Sequence, residues 1–406
     1  MPPVSRRRFL AAALAAPAAG RVYAGKPMPV PVPPPTADGS AGFACDLYAK
    51  LRTAPGNVFA SPFSVRVALA IAATGAAGAT LADMQKVLRL DPDPAKAESA
   101  MWALLAAVNG AGENRGYDLA SANALWAQTG YPFKATFRAR AEAVYKAGVR
   151  ETDFAADPEA GRVAINTWAL KETRDKIRDL LAPGVLTRAT RLVLTNAVYF
   201  KGTWAERFDK ALTKDAPFNK ADGTKVPVPL MKLSAALTAV DRPADPYQAV
   251  ELPYHGRREA MLLIVPRTPD GLDAVEAKLT GAWLAELTRA IEKRPGATLF
   301  LPRFQVEAKY ELKEPLTAMG LGRAFDGRAD FSGMTTAERL VIDKVIHKAF
   351  VEVNEEGTVA AAATAVVMGN PDFTAPFIVR ADRPFLFLIR HRPTGEVLFA
   401  GRYTSP

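Results

Sequence analysis

The chain has 406 residues, 49% of them hydrophobic and 23% charged, with a net charge of +10 and one cysteine. That is an ordinary soluble composition with material for a large core, and a lone Cys45 excludes an internal disulfide. The basic excess of the body is scattered, and segments such as KETRDKIRD mix both signs, which argues against a nucleic-acid face.

The first 24 residues read as an export signal. A basic cluster at 6–8 precedes a weakly apolar run at 10–19, and Val22-Tyr23-Ala24 has the small-x-small form of a cleavage site. Ser5-Arg6-Arg7-Arg8-Phe9-Leu10 also has the form of a twin-arginine signal, an alternative to the general secretory route. Residues 1–24 hold four arginines and no acid, so their removal lowers the net charge from +10 to +6. The expected location is the periplasm or the medium. Residues 25–37, KPMPVPVPPP at their centre, form a stiff spacer, and a single domain is expected over 38–406. No later stretch has the roughly 20 unbroken apolar residues of a spanning helix.

Helices are expected first. GFACDLYAKLR has helical spacing. SPFSVRVALAIAATGA opens with Ser61 as N-cap and Pro62 at the first helical position, and its nearly all-apolar face predicts burial. Thr80-Leu81-Ala82-Asp83 reads as another capped start. AESAMWALLAAVNG, FKATFRARAEAVYKA and GRVAINTWALKETRDKIRDLL also fit helices. Cys45 lies in an amphipathic pattern and is expected to be buried and inert.

Strands dominate the second half. RLVLTNAVYFKGTW is a nearly continuous apolar run, as a strand buried on both faces requires. YQAVELPY and EAMLLIVPR follow as a meander. One helix fits LDAVEAKLTGAWLAELTRAI. TLFLPRFQVEAKYEL, RLVIDKVIHKAFVEVNEE, RPFLFLIRH and GEVLFAGRYT read as long strands, the last two joined at Pro393-Thr394-Gly395. The predicted class is α+β, with mixed multi-stranded sheets and about eight or nine helices.

The catalytic inventory is poor. There are three histidines, His255, His347 and His391, and no G-x-S-x-G, H-E-x-x-H, P-loop or complete G-x-G-x-x-G. No catalytic residue, metal site or cofactor is expected. His347 on its own reads as a core histidine with a hydrogen-bond partner.

From Asn57 onward the chain resembles the serpins. NVFASPFSVRVALAIAATGAAGAT, TNAVYFKGTWAERFD, LPRFQVEAKYELKEPLTAMGL, AFDGRADFSGM, VIHKAFVEVNEEGTVAAAATAVVM and RADRPFLFLIRHRPTGEVLFAGR follow the family's order. With the signal, this implies an exported bacterial member. It implies a serpin fold with an exposed reactive loop over about 355–379. In that family a target protease cleaves the loop, which then inserts as a new strand into the main sheet and traps the acyl-enzyme. The resemblance thus implies a suicide-substrate inhibitor, expected to act as a monomer with a serine protease as partner and no nucleic acid or membrane. The shutter cluster beneath the sheet would be Ser61, Ser64, Asn196 and His347, and the breach at its top Trp204.

The residues support a loop with two states. Counting by two from the hinge gives Thr358, Ala360, Ala362 and Thr364 on one strand face, all small and uncharged. Val359, Ala361 and Ala363 occupy the other. Such groups enter a packed sheet without overpacking it or burying charge. Glu355 and Glu356 stop just before Gly357, where the pivot is expected. A chain from Gly357 to Phe373 spans roughly 50 Å at ~3.3 Å per residue, on the order of the diameter of the body. A disordered alanine-rich loop or short helix is the alternative reading of the local sequence.

The bait bond departs from the common pattern. Counting from the hinge reaches Pro371, followed by Asp372, and proline fits few primary pockets. Counting back from 380–384 gives Phe373–Thr374, with the loop about two residues longer than usual. Phe373 would anchor in a chymotrypsin-like or subtilisin-like pocket. Asp372–Phe373 and Met368–Gly369 stay open. The competing functions are a non-inhibitory serpin (carrier, storage protein or chaperone), an inhibitor of cysteine proteases, and a hydrolase.

Overall fold

The structure is a computed structural model and describes residues 39–109, 117–145, 149–335, 337, 339–357 and 377–406. In chain order it begins α1 (Ser40–Leu51), β1 (Val58–Ala60), α2 (Pro62–Ala73), α3 (Gly78–Leu88), α4 (Pro94–Asn109), β2 (Tyr117–Gln128), α5 (Ala135–Tyr145), β3 (Val149–Thr152) and α6 (Pro158–Glu172). Ser61 caps α2 as its sequence predicts, its Oγ accepting from Ser64 N–H at 3.2 Å, and every residue of that helix is buried. Cys45 is buried in α1, and burial pushes its thiol up to about 12, which keeps it protonated.

Two helix boundaries differ from expectation. α3 starts at Gly78, so Thr80 lies inside it; its buried hydroxyl accepts from Asp330 N–H at 2.9 Å instead of capping. α6 stops at Glu172 although the helical pattern runs on to Leu181. Thr173 turns its hydroxyl back to Ala169 C=O at 2.7 Å and accepts from Ile177 N–H at 3.1 Å, and Arg174 and Asp175 adopt left-handed φ of 53° and 62°. Ile177, Leu180 and Leu181 are nonetheless buried, so the apolar pattern reports coverage by an irregular strap.

The second half supplies β4 (Leu192–Gly202), β5 (Lys214–Asn219), β6 (Lys225–Val240), β7 (Tyr247–Pro253), β8 (Glu259–Pro266), α7 (Leu272–Glu276), α8 (Gly281–Ala290), β9 (Glu292–Pro302), β10 (Phe304–Glu311), α9 (Lys313–Leu316), β11 (Lys344–Val353), β12 (Ile378–Arg380), β13 (Phe385–His391) and β14 (Glu396–Tyr403). The single helix expected over 272–291 is two, because Thr280 caps a fresh start by accepting from Trp283 N–H. The long strand expected over 298–312 is also two, broken at Arg303, and its halves β9 and β10 enter different sheets.

The described residues form nine α-helices and two mixed sheets. The nine-stranded sheet runs β1-β14-β13-β8-β7-β6-β9-β12, with β5 also on β6. The five-stranded sheet runs β10-β11-β4-β2-β3. β4 is buried on both faces, as its unbroken apolar run requires. Val198 and Phe200 pack toward Phe59, Phe387 and Phe399 of the larger sheet, while Val193 and Ala197 pack toward Ile165 and Ala169 of α6. α2 packs beneath the smaller sheet against β2 and β4, and also against β14.

Candidate functional site

β4 and β11 are direct neighbours and run parallel, in register from Val193↔Lys344 to Tyr199↔Phe350. On their inner face a polar row crosses four strands. Asn123 on β2 lies opposite Asn196 on β4, Asn196 opposite His347 on β11, and His347 opposite Tyr310 on β10. Directly opposed residues share a face, so the row is contiguous.

The start of α2 completes this cluster from below. His347 is fully buried, and its Nε2 accepts from Ser61 N–H at 3.0 Å. Its Nδ1 is hydrogen-bonded to Asn196 Oδ1. One ring nitrogen must accept, so the other carries the proton and the ring is neutral. Burial pushes its pKa down to about 3, against a smaller upward pull from Asn196. Asn196 Nδ2 donates to both Ser64 Oγ and Asn123 Oδ1. Ser64 Oγ donates to Asn123 Oδ1 at 3.1 Å, and Ser61 Oγ to Leu398 C=O at 2.7 Å. Phe59 N–H reaches the Tyr310 hydroxyl at 3.3 Å, and the Tyr310 ring stacks with His347 at 6.2 Å. The four residues singled out from sequence, Ser61, Ser64, Asn196 and His347, thus meet in one network. Asn123 and Tyr310 were missed there: Asn123 interrupts the small apolar run of β2, and Tyr310 stands in line with Phe304, Val306 and Ala308 on the apolar side of the alternating strand β10.

Above this row the chain reverses. Asn354 and Gly357 exchange backbone hydrogen bonds at 2.9 and 3.2 Å, with Glu355 and Glu356 at the corners of the turn. Gly357 then bridges antiparallel to Thr203, just past the end of β4. Its φ is +120°, and a Cβ there would stand 2.1 Å from Gly202 O and 2.6 Å from Thr203 Cα. Only glycine fits this approach.

Both acids are held. Glu355 is 2% exposed, and both its oxygens accept from Arg303 Nε at 2.8 Å, with Thr213 Oγ1 at 2.5 Å. Burial alone raises its pKa; the Arg303 and Thr213 hydrogen bonds outweigh that and hold the carboxyl below its usual range. Glu356 pairs with Lys210. Trp204 lies beside the turn, almost fully buried. Its indole Nε1–H donates to Asn354 C=O at 3.0 Å, and its backbone N–H donates to Glu356 C=O at 3.1 Å. Its ring stacks on Tyr254 at 4.5 Å. The turn is therefore fixed from three sides.

On the outer face the strap after α6 lies over the same seam. Lys348 of β11 donates to Arg178 C=O at 2.8 Å, and Lys309 of β10 to Asp179 C=O at 3.3 Å. Thr358, Val359, Ala360, Ala361, Ala362, Ala363 and Thr364, and the bait candidates Met368, Pro371, Asp372, Phe373 and Thr374, lie outside the described residues. So do the signal and spacer. Among the described residues no group of three or more His, Cys, Asp or Glu is placed to hold a metal ion, and no helix is long and apolar enough to cross a membrane.

Comparison with known proteins places this arrangement in a family. Residues 38–406 match the family described as serpin (serine protease inhibitor). A leukocyte elastase inhibitor of Sus scrofa is 40% identical over 90% of this chain and 97% of that protein. A serpin-like protein of Thermococcus kodakarensis is 38% identical over 92% of this chain and 86% of that protein. Among solved structures, Serpin48 of the insect Tenebrio molitor superposes with a TM-score of 0.82 at 29% identity, covering 91% of this chain and 98% of that one. Uncleaved ovalbumin gives 0.82 at 29% identity, covering 91% and 100%.

Proposed function

The chain belongs to the serpin family, a family of protease inhibitors rather than enzymes, and on that premise we propose that it is a suicide-substrate inhibitor of serine proteases. Its reactive loop is cut after Phe373. The cleaved loop enters the five-stranded sheet between β4 and β11 and carries the acylated protease with it.

One observation carries this reading: the chain leaving β11 has already turned back at Gly357, onto the end of β4. A strand continuing that direction runs antiparallel to both β4 and β11. It replaces one parallel pairing with two antiparallel ones, which are slightly more stable per residue. The residues after Gly357 are small and uncharged, as entry into a packed sheet demands. The polar row lets Asn196 and His347 exchange partners as the strands separate, so that no buried group is left unpaired.

The target class is read from Phe373 and from the elastase inhibitor among the relatives: a chymotrypsin-like, elastase-like or subtilisin-like serine protease. Residues 1–24 direct export in this reading. The test is to mix the protein lacking residues 1–24 with chymotrypsin, elastase and subtilisin and run boiled denaturing gels. A band at the summed mass, with a released peptide beginning at Thr374, supports the proposal. Clean cleavage without that band by every protease contradicts the trap, and a different new N-terminus contradicts the bait assignment.

A further inference from the structure

The chain segment that leads into β11 walls a cavity of about 570 Å³ with side chains between Arg328 and Leu340. That volume falls in the range of small-molecule sites. Phe331 and Leu340 are each 2% exposed and Ala329 5%, so they form a buried, apolar side. The acceptors of the polar side are already engaged. Thr335 donates to Pro132 C=O at 2.9 Å, and Asp330 Oδ1 accepts from Ser332 N–H at 3.0 Å. The Ser332 hydroxyl and N–H, and more weakly the charge of Arg339, hold the Asp330 carboxyl below its usual range. The cations keep free donors. Arg328 places Nε and Nη2 on Asp326, at 3.1 and 2.7 Å, and retains Nη1. Arg339 gives Nη1 to Gly327 C=O at 2.9 Å and makes no ion pair among the described residues.

We propose that this cavity binds a small organic anion, a carboxylate or phosphate monoester carried on an aryl or short alkyl group. The guanidinium forks of Arg339 and Arg328 match the oxygens of such an anion, and the apolar side takes its organic group. Asp330, the one acid of the lining, opposes excess negative charge. The site is built from two parts of the fold. Asp330 is pinned at the start of α3, its C=O accepting from Ala77 N–H and its N–H donating to Thr80 Oγ1, both at 2.9 Å. Arg339 and Leu340 instead lead into Asp343, which grips the other side of the seam. Its Oδ2 accepts from Arg191 N–H at 2.7 Å and from Leu192 N–H at 3.1 Å, at the start of β4. A strand inserted between β4 and β11 must break that grip. On the insertion reading above, the anion therefore binds the uncut protein more tightly than the cut one, and by reciprocity resists insertion.

The experiment is calorimetric titration of the protein lacking residues 1–24 with phenyl phosphate, benzoate, inorganic phosphate and benzyl alcohol. Saturable single-site binding of at least one aryl anion is expected, with a Kd of about 1 mM or tighter. Inorganic phosphate and benzyl alcohol should each bind about tenfold more weakly or not at all. Arg328→Gln/Arg339→Gln should weaken the aryl anion by about tenfold or more, the scale of a lost charged hydrogen bond. Asp330→Asn keeps an acceptor for Ser332 and removes the charge, so it should tighten binding, which a merely structural role would not do. Denaturation midpoints without ligand check that the variants fold. No saturable binding of either aryl anion overturns the proposal, as does binding unchanged in the double variant or inorganic phosphate bound as tightly as phenyl phosphate. The same titration on loop-cut protein should give binding about tenfold weaker, and equal affinity overturns the coupling. A cut protein whose denaturation midpoint has not risen shows that insertion, and not the anion site, has failed.

Discussion

Gly357 meets Thr203 across an antiparallel bridge, although the strands that bring them there, β11 and β4, run parallel. The reversal is made within four residues, Asn354 to Gly357, and sets Gly357 beside Thr203, just past the end of β4. The uncleaved molecule therefore already holds the first contact of the pairing that insertion would extend.

The turn depends on the missing side chain at 357. Gly357→Ala places a methyl 2.1 Å from Gly202 O at a φ of +120°. Strain of this kind costs about 1–3 kcal/mol. The expected result is a lower denaturation midpoint and more cleaved, untrapped product on protease titration. An unchanged midpoint and full trapping would show that the turn is not required.

Arg303→Ala strips the buried Glu355 of its guanidinium and leaves Thr213 as the side chain holding it. Losing a hydrogen bond to a buried charged group costs about 2 kcal/mol. The carboxyl should also titrate at higher pH than before. Lys210→Ala, which loses the more exposed pair with Glu356, should cost about 0.5 kcal/mol or less. Denaturant unfolding of the two variants measures the contrast, and equal losses would contradict it.

His347 and His391 make stability pH-dependent with a defined sign. Burial pushes His347 down to about 3; burial and then the charge of Arg258 push His391 down to about 4. In the unfolded chain both protonate near ~6.5. As pH falls from there toward the folded values, the unfolded state binds protons that the native state refuses, so stability falls by about 1.4 kcal/mol per pH unit for each histidine. His347→Gln should flatten the slope by one such increment between about pH 6 and pH 4. Parallel slopes for the two proteins would contradict the assignment of a neutral ring to His347.

Thr358→Arg tests insertion from the loop's side. A charged side chain at the first inward position should leave cleavage intact and block entry, turning inhibitor into substrate. Stable complexes from this variant would refute the account of the trap.

Much of the architecture was legible because local rules and tertiary burial agree. The Ser61 cap, the doubly buried β4 and the closing β13–β14 hairpin each follow from nearby residues. Errors arose where one pattern serves two structures. The apolar spacing through Ile177, Leu180 and Leu181 looks helical, but a left-handed Arg174 and Asp175 convert it into a strap. Thr280 and Arg303 break runs that look continuous, since a cap and a sheet change are set by three-dimensional packing. Of the polar cluster, Asn123 escaped notice because its membership depends on a strand register with Asn196, 73 residues away. The turn that ends at Gly357 falls where the run of charge ends in the sequence, whereas the Arg303 and Thr213 partners of Glu355 could not be read there.

The most direct test is the structure of the protein after its loop has been cut at the bait bond. The account predicts a new strand between β4 and β11, antiparallel to both. Asn196 and His347 would then be separated by two strand spacings, on the order of 9–10 Å, instead of one. If the cleaved molecule still pairs Val193 with Lys344 and Asn196 with His347 as direct neighbours, insertion at this seam is wrong.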